Sequence, residues 1–373
     1  LTDISTFDLF MKKLFGLFLT CLSFTGIAQP AGYYDPAAGL TGQALRAALA
    51  TIVRPHTELT YAQVWTAYNT TDRKPNGKIW DIYSDIPGGT PPYEYTYSAD
   101  QCSGSSPSAE HSCYNREHTW PQSKFTFTAP NGAPAGTDVF HIYPSDYWVN
   151  NQRGNYPYGK VTSPSQTFMN GSKLGNNTYP GAPSGTSFEP IDSFKGDIAR
   201  TYFYMSTCYR NDSGNFVTWE MATLVALKPW AAAMLLEWHH LDPVSKKEID
   251  RNNAIYTLQN NRNPFIDHPE YADCIWGTAN CSSTFVQNAT SATQDAHIYP
   301  VPAVDVVNVS WQYASAAPVA VSVTDLAGRV VYHAPLNAAG TELSMDVSAW
   351  PHGIYAVQLQ YANTVKVHKI VVE

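Results

Sequence analysis

The chain has 373 residues, aromatic side chains make up 13% of it, and its formal net charge is −8 at neutral pH. That length supplies two ordinary domains or one large domain with an added module, and the plentiful Trp and Tyr exclude a disordered chain. The acidic balance excludes a broad basic face for polyanions, so any nucleic acid would have to be met by a local basic cleft, a bound cation, or both.

Residues 1–28 stand apart. Met11-Lys-Lys, the apolar run over residues 14–24 and the small residues ending at Ala28 form the three regions of a secretory signal peptide, with cleavage expected after Ala28. Residues 1–10 read as an upstream extension of the reading frame. The apolar run is too short to span a bilayer, and no later segment reaches the roughly 20 apolar residues of a membrane helix, so the mature product is expected to carry no transmembrane segment.

Over residues 34–69, Leu40, Leu45, Leu49, Ile52 and Val53, then Tyr61, Val64, Trp65 and Tyr68, recur at helical spacing and predict two packed helices. Residues 78–84 read as a strand and residues 87–92 as a surface loop. Residues 137–143 alternate like a short strand, Ser145 is placed to cap a following helix and Gly154 to end it. Asn150 and Arg153, three apart, would share one face of that helix. The Gly, Ser, Asn and Pro of residues 163–185 predict a long loop or insertion. Helical patterning returns over residues 196–210, 219–238 and 244–260, the last after the start signal Asp242-Pro-Val-Ser245. Residues 282–296 are polar and aperiodic, as in a linker. Beyond them, residues 304–311, 319–326, 329–333, 342–347, 354–361 and 365–372 are short alternating runs between turn residues, which predicts a small antiparallel sandwich.

Cys21 lies in the signal region, which leaves five cysteines. Cys102 with Cys113, and Cys274 with Cys281, are close pairs in polar stretches of an exported chain, and both are expected to form disulfides. Cys208, inside a predicted helix with no base beside it, reads as a small buried hydrophobe.

The chemistry-bearing residues begin with Glu117 and His118 in Cys113-Tyr-Asn-Arg-Glu-His-Thr-Trp-Pro121, followed by His141-Ile-Tyr-Pro-Ser-Asp146 and by Asn150 and Arg153. On an extended segment consecutive side chains point to opposite faces, so one of the pair can hold a metal while the other approaches a substrate. A carboxylate, an imidazole, an amide oxygen and a guanidinium can hold one hard metal ion, activate a water and steady a phosphate. One carboxylate with one amide oxygen suits magnesium better than zinc, which favours several His or Cys ligands. Taken alone, the dipeptide would read as a strand-end salt bridge beside a satisfied His. Glu237, His239, His240 and Asp242 read as caps and pairs at a helix end, and Asp267 and His268 as parts of a turn.

Context decides the first case. Asn115-Arg-Glu-His-Thr-Trp-Pro121, Asp138-Val-Phe-His-Ile-Tyr-Pro-Ser-Asp146, Val149-Asn-Asn-Gln-Arg-Gly-Asn155, Phe188-Glu-Pro190, Lys195-Gly-Asp-Ile-Ala-Arg200, Trp238-His-His-Leu-Asp-Pro-Val-Ser245 and Asn261-Arg-Asn-Pro-Phe-Ile-Asp-His-Pro269 follow in order. Together, over residues 40–281, they closely resemble the bacterial endonuclease I family of secreted and periplasmic nucleases. The resemblance implies an α+β fold, a ββα-metal nuclease core surrounded by helices, that cuts DNA and often RNA with little sequence preference and leaves 5′ phosphates. Carried over by motif position, His118 would be the general base, and Glu117 and Asn150 the ligands of Mg2+, with Mn2+ or Ca2+ as alternatives. Related nucleases steady the phosphate with an Arg between the His and Asn motifs, and residues 119–150 contain none. Arg153 is the first choice for that role, with Arg116 and Lys124 as substitutes. His141 is expected either to support the site from behind, a place Arg116 is also a candidate for, or to pack as a strand residue.

The last segment, in Ile298-Tyr-Pro-Val-Pro-Ala-Val-Asp305, Val323-Thr-Asp-Leu-Ala-Gly-Arg-Val330, Gly353-Ile-Tyr-Ala-Val357 and Lys366-Val-His-Lys-Ile-Val-Val372, resembles the sorting domains of type IX secretion, although Val301 stands where Asn is more usual. It implies passage through outer-membrane secretion machinery and a secreted or surface-attached product. The expected organisation is a signal region (1–28), a catalytic domain (29–281), a linker (282–296) and a sorting sandwich (297–373). The expected function is a secreted metal-dependent endonuclease acting on DNA, with RNA as a second substrate. The alternatives are a phosphodiesterase of small substrates and a non-catalytic surface protein that binds nucleic acid.

Overall fold

The computed structural model describes residues 29–104, 106–277, 297–299, 302–310, 320–325, 328–335, 342–360 and 365–373. The expected signal region, linker and Cys281 lie outside them. Helix α1 (Gly42–Val53) buries Leu45, Leu49 and Val53, one stripe at four-residue spacing. Helix α2 (Tyr61–Thr71) opens on a capping box in which the Thr60 hydroxyl accepts from the Gln63 N–H and Gln63 Oε1 accepts from the Thr60 N–H. Residues 78–84 do not form the expected strand. Lys78 and Ile79 make isolated bridges to Thr96 and Arg73, and the Asp81 carboxylate then accepts from the N–H groups of Tyr83 and Ser84, which curls the backbone into a turn.

Strands β1 (Tyr114–His118) and β2 (Ile142–Asp146) pair antiparallel, Glu117 opposite Tyr143 and His118 opposite Ile142. Helix α3 (Tyr147–Arg153) leaves β2 directly and packs against both strands, completing a ββα unit. The strand expected over residues 137–143 starts only at Ile142, because the Asp138 carboxylate accepts from the Phe140 N–H and tightens Val139–His141 into a 3₁₀ turn. Asp146, not Ser145, caps α3, accepting from the Val149 N–H at 2.9 Å while Ser145 stays within β2. Gly154 ends the helix at φ 52°, a value that strains residues with a Cβ.

Residues 163–185 are not loop throughout. With Thr186–Glu189 they build a three-stranded antiparallel sheet of β3 (Pro164–Thr167), β4 (Lys173–Asn176) and β5 (Thr186–Glu189). Four-residue strands of largely polar residues carry no alternation to betray them. The helix expected over residues 219–238 is confined to its second half. A tight hairpin of β6 (Ala222–Thr223) and β7 (Ala226–Leu227) comes first, turning at Leu224 with φ 54°. Pro229 at the first turn then starts the helix Pro229–Leu241.

Helices α4 (Asp192–Cys208) and α5 (Pro229–Leu241) pack on one another, α4 being buried almost all round. Helix α6 (Lys246–Gln259) begins at the Ser245 and Glu248 capping box, and α7 (Pro264–Asp267) and α8 (Glu270–Trp276) follow. The C-terminal strands are β8 (His297–Tyr299), β9 (Val306–Ser310), β10 (Ala320–Asp325), β11 (Val330–Pro335), β12 (Glu342–Asp346), β13 (Gly353–Gln360) and β14 (Val365–Val372). They form two antiparallel sheets, β11-β10-β13-β14 and β12-β9-β8. Alternate residues such as Val307, Val309, Val321, Val323, Val357 and Leu359 build a core of their own, separate from the core of the helical part. The fold class is α+β.

Candidate active site

Asp146 organises the ββα unit. Fully buried, its carboxylate accepts from Tyr93 Oη (2.9 Å), Tyr95 Oη (2.6 Å) and the His111 N–H (2.9 Å), besides capping α3. It thereby ties three segments to the start of the helix: residues 93–95, the loop closed by the Cys102–Cys113 disulfide, and β2. A helix so fixed presents Asn150 and Arg153, one turn apart, to β1.

Asn150 Nδ2 donates to Asn115 Oδ1 at 2.8 Å and to Arg116 O at 3.4 Å. A backbone oxygen only accepts, so the nitrogen faces β1 and Oδ1 faces away, where no described group donates to it. Arg153 is fully buried and lies 4.7 Å over the Tyr158 ring. Its Nη1 donates to Glu117 Oε1 (2.9 Å) and His118 O (3.1 Å), and its Nη2 to Thr119 O (2.7 Å). The structure therefore places Arg153 behind Glu117 and not toward an incoming phosphate.

Glu117 is 1% exposed, and Oε1 also accepts from Tyr83 Oη at 2.7 Å, which in turn meets Tyr158 Oη at 2.5 Å. Burial raises the Glu117 carboxyl pKa, and the Arg153 charge and the Tyr83 hydrogen bond oppose the rise. Oε2 accepts no hydrogen bond from any described group. Tyr83 and Tyr158 escaped the sequence reading, since no local pattern marks two tyrosines in irregular segments as partners of a distant carboxylate.

His118 is fixed on the opposite side of β1. Its Nε2 lies 3.1 Å from Gly136 O, which puts the ring hydrogen on Nε2 and leaves Nδ1 as the lone-pair nitrogen. The Gln122 side chain lies 3.2 Å from the same Nε2. Burial, then the neighbouring His141, depresses the His118 pKa to about 3, so the ring is neutral throughout the neutral range. His141, 5.4 Å away between ring centres, places its Nε2 2.6 Å from Ala135 O, and burial lowers its pKa to about 4. The two imidazoles thus meet adjacent carbonyls of the turn Pro134–Gly136.

Arg116 is half-buried, its guanidinium carbon 3.3 Å from the Tyr61 ring centre and 4.4 Å from that of Trp65, with Nη1 donating to Tyr61 O at 2.7 Å. Lys124 lies 3.7 Å from Glu220. The remaining polar clusters disperse. Glu237 accepts from Tyr179 Oη, His239 meets Arg200, His240 pairs with Asp273, and Asp242 accepts from the Gly196 N–H. Asp267 pairs with Arg262 and His268 with Glu270. One further trio, His56, Asp138 and Cys208, brings its ligand atoms within 4.8 Å of one another. The Asp138 oxygens already accept from Phe140 N–H, Gln259 Nε2, Tyr204 Oη and Tyr209 Oη, and burial pushes the Cys208 thiol pKa up, so neither is poised as a ligand. Cys208 is free and buried.

The chain has counterparts among known proteins. A family model described as Endonuclease I matches residues 41–270, and one described as Secretion system C-terminal sorting domain matches residues 297–373. The chain is 36% identical over 261 residues to an extracellular ribonuclease of Bacillus amyloliquefaciens, covering 68% of this chain and 80% of that one. It is 36% identical over 256 residues to an extracellular ribonuclease of Bacillus subtilis (strain 168), covering 65% and 78%. Over 131 residues it is 26% identical to Endonuclease-1 of Buchnera aphidicola subsp. Acyrthosiphon pisum, covering 35% and 44%. No helix among the described residues is long and apolar enough to cross a membrane.

Proposed function

Because the chain belongs to the endonuclease I family and ends in a secretion sorting domain, it is a secreted or cell-surface nuclease, and we propose that it is a metal-dependent endonuclease of DNA and RNA. It cuts with little sequence preference and leaves 5′ phosphates. One observation carries the reading. In each of Glu117, Asn150 and His118 one polar atom is tied to the protein, while Glu117 Oε2, Asn150 Oδ1 and His118 Nδ1 have no described partner.

The donor set fits Mg2+. Two hard oxygens from a carboxylate and an amide leave most of an octahedral shell to water and phosphate, and Mn2+ has the same taste for oxygen. Glu117 and Asn150 would hold the ion, and when bound it supplies positive charge to the phosphate and the departing 3′ oxygen. His118 accepts the proton of the attacking water at Nδ1, while its Nε2–H on Gly136 O keeps the ring from turning. Arg153 and Tyr83 hold the Glu117 carboxylate aimed and oppose the effect of its burial. A bound cation also answers the net charge of −8, which would otherwise oppose the approach of a polyanion. Export removes residues 1–28, and residues 282–296 link the nuclease to the sorting sandwich in this reading.

Digestion of plasmid DNA, RNA and a small chromogenic diester in magnesium and in chelator tests the proposal. Both nucleic acids should be cut in magnesium only, and the diester poorly. His118→Ala should lower turnover by about 10²–10⁴-fold and leave DNA binding in place, whereas Asn150→Ala should raise the magnesium concentration required. Undiminished cutting in chelator, or by His118→Ala, would remove the mechanism.

A further inference from the structure

We propose that Arg116 is the residue that binds the reacting phosphate, through the free edge of its guanidinium. This rests on the nuclease reading above and supplies the cation that Arg153, committed to Glu117 and two backbone oxygens, does not.

Alternation along β1 puts Arg116 and His118 on the same face of the strand, two residues and about 6.6 Å apart along the chain. The Tyr61 ring spans the interval, 3.3 Å from the Arg116 guanidinium carbon and 5.9 Å from the centre of the His118 ring. On its other side Arg116 borders the metal-ligand candidate, since its carbonyl accepts from Asn150 Nδ2. A phosphate held there would lie on the His118 side of β1, beside the segment that Asn150 ties down.

The side chain is also prepared for an anion. Arg153, Arg200, Arg251 and Arg262 each pair with a carboxylate, whereas Arg116 has no carboxylate partner among the described residues. Its only hydrogen bond there runs from Nη1 to Tyr61 O, so Nε and Nη2 remain free as a fork. Tyr61 and Trp65 fix the plane of the guanidinium, so little order has to be gained when phosphate arrives. A half-buried guanidinium with no counter-ion among the described residues leaves an incoming anion as the missing partner.

The test uses the full chain. Arg116→Gln keeps a donor for Tyr61 O and removes the charge, and Arg116→Lys keeps the charge and removes the fork. On plasmid DNA in magnesium, Arg116→Gln should lower kcat by about 10²–10³-fold with a smaller change in KM, and Arg116→Lys should fall between it and the parent. In a His118→Ala background, which binds without cutting, Arg116→Gln should make the plot of log affinity against log salt shallower by about 0.9, the signature of one lost phosphate contact on duplex DNA. Thermal unfolding of each variant identifies any loss due to folding, in which case the Lys variant carries the comparison. An unchanged kcat, a raised KM with kcat intact, or a lowered kcat with an unchanged salt slope would each overturn the assignment. Those results differ from failure of the underlying reading, in which the parent chain itself would not cut or His118→Ala would still do so.

Discussion

Replacing Arg153 with methionine would remove a guanidinium from the most enclosed ion pair of the site while keeping a long side chain over Tyr158. The pair is 2.9 Å apart, Arg153 is 0% exposed and Glu117 is 1% exposed. At an effective dielectric of about 20, charges at that distance attract by on the order of 5 kcal/mol, and stranding one partner of a buried pair costs about 3–5 kcal/mol once relaxation is counted. The carbonyls of His118 and Thr119 lose their donor at the same time. Without Arg153 only the Tyr83 hydrogen bond opposes burial at Glu117, and its pKa rises further. Arg153→Met should therefore lower the urea midpoint and, separately, raise the magnesium concentration needed for plasmid cleavage. In Glu117→Gln/Arg153→Met the combined loss should fall short of the sum of the single losses by about 2–3 kcal/mol, because the stranded charge is gone. Arg153 does not act through Glu117 if Arg153→Met unfolds within about 1 kcal/mol of the parent yet loses turnover at an unaltered magnesium requirement. That result would return Arg153 to the substrate.

Asp146→Asn would leave at most part of four accepted hydrogen bonds, so it should cost about 2–4 kcal/mol and loosen the Asn150 ligand, seen as a lower urea midpoint together with a higher magnesium requirement. The His141 pKa is depressed from 6.5 in the unfolded chain to about 4 in the fold, so the unfolded chain binds a proton first as the pH drops. Stability from this group is present above pH 6.5 and is lost on acidification toward pH 4, by about 2 kcal/mol between about pH 7 and pH 5. Urea unfolding of His141→Gln should show a pH dependence flatter by that amount, and a dependence as steep as the parent's would mean that His141 is not held neutral. Cys102→Ser/Cys113→Ser opens a cross-link between residues 11 apart and should lower stability by about 3 kcal/mol under oxidising conditions. An unchanged melting temperature would place that loop outside the cooperative unit.

What the sequence determined by itself was whatever repeats within a few residues. The stripe Leu45, Leu49, Val53 marks α1, Ser245 with Glu248 marks the start of α6, and alternation marks the C-terminal strands, because helix and strand periods are set by the local backbone. The same local rules put Asn150 and Arg153 on one helix face and Glu117 and His118 on opposite sides of one strand. Only the tertiary structure decided what those side chains do. Tyr83 and Arg153 reach Glu117 from 34 and 36 residues away, and Gly136 reaches His118 from 18. No period links such positions, so the turn at residues 78–84 and the polar sheet β3-β4-β5 also escaped the pattern. Burial did the rest. It committed Arg153 to an ion pair and kept both imidazoles neutral, and burial belongs to surfaces that meet only when the chain has folded.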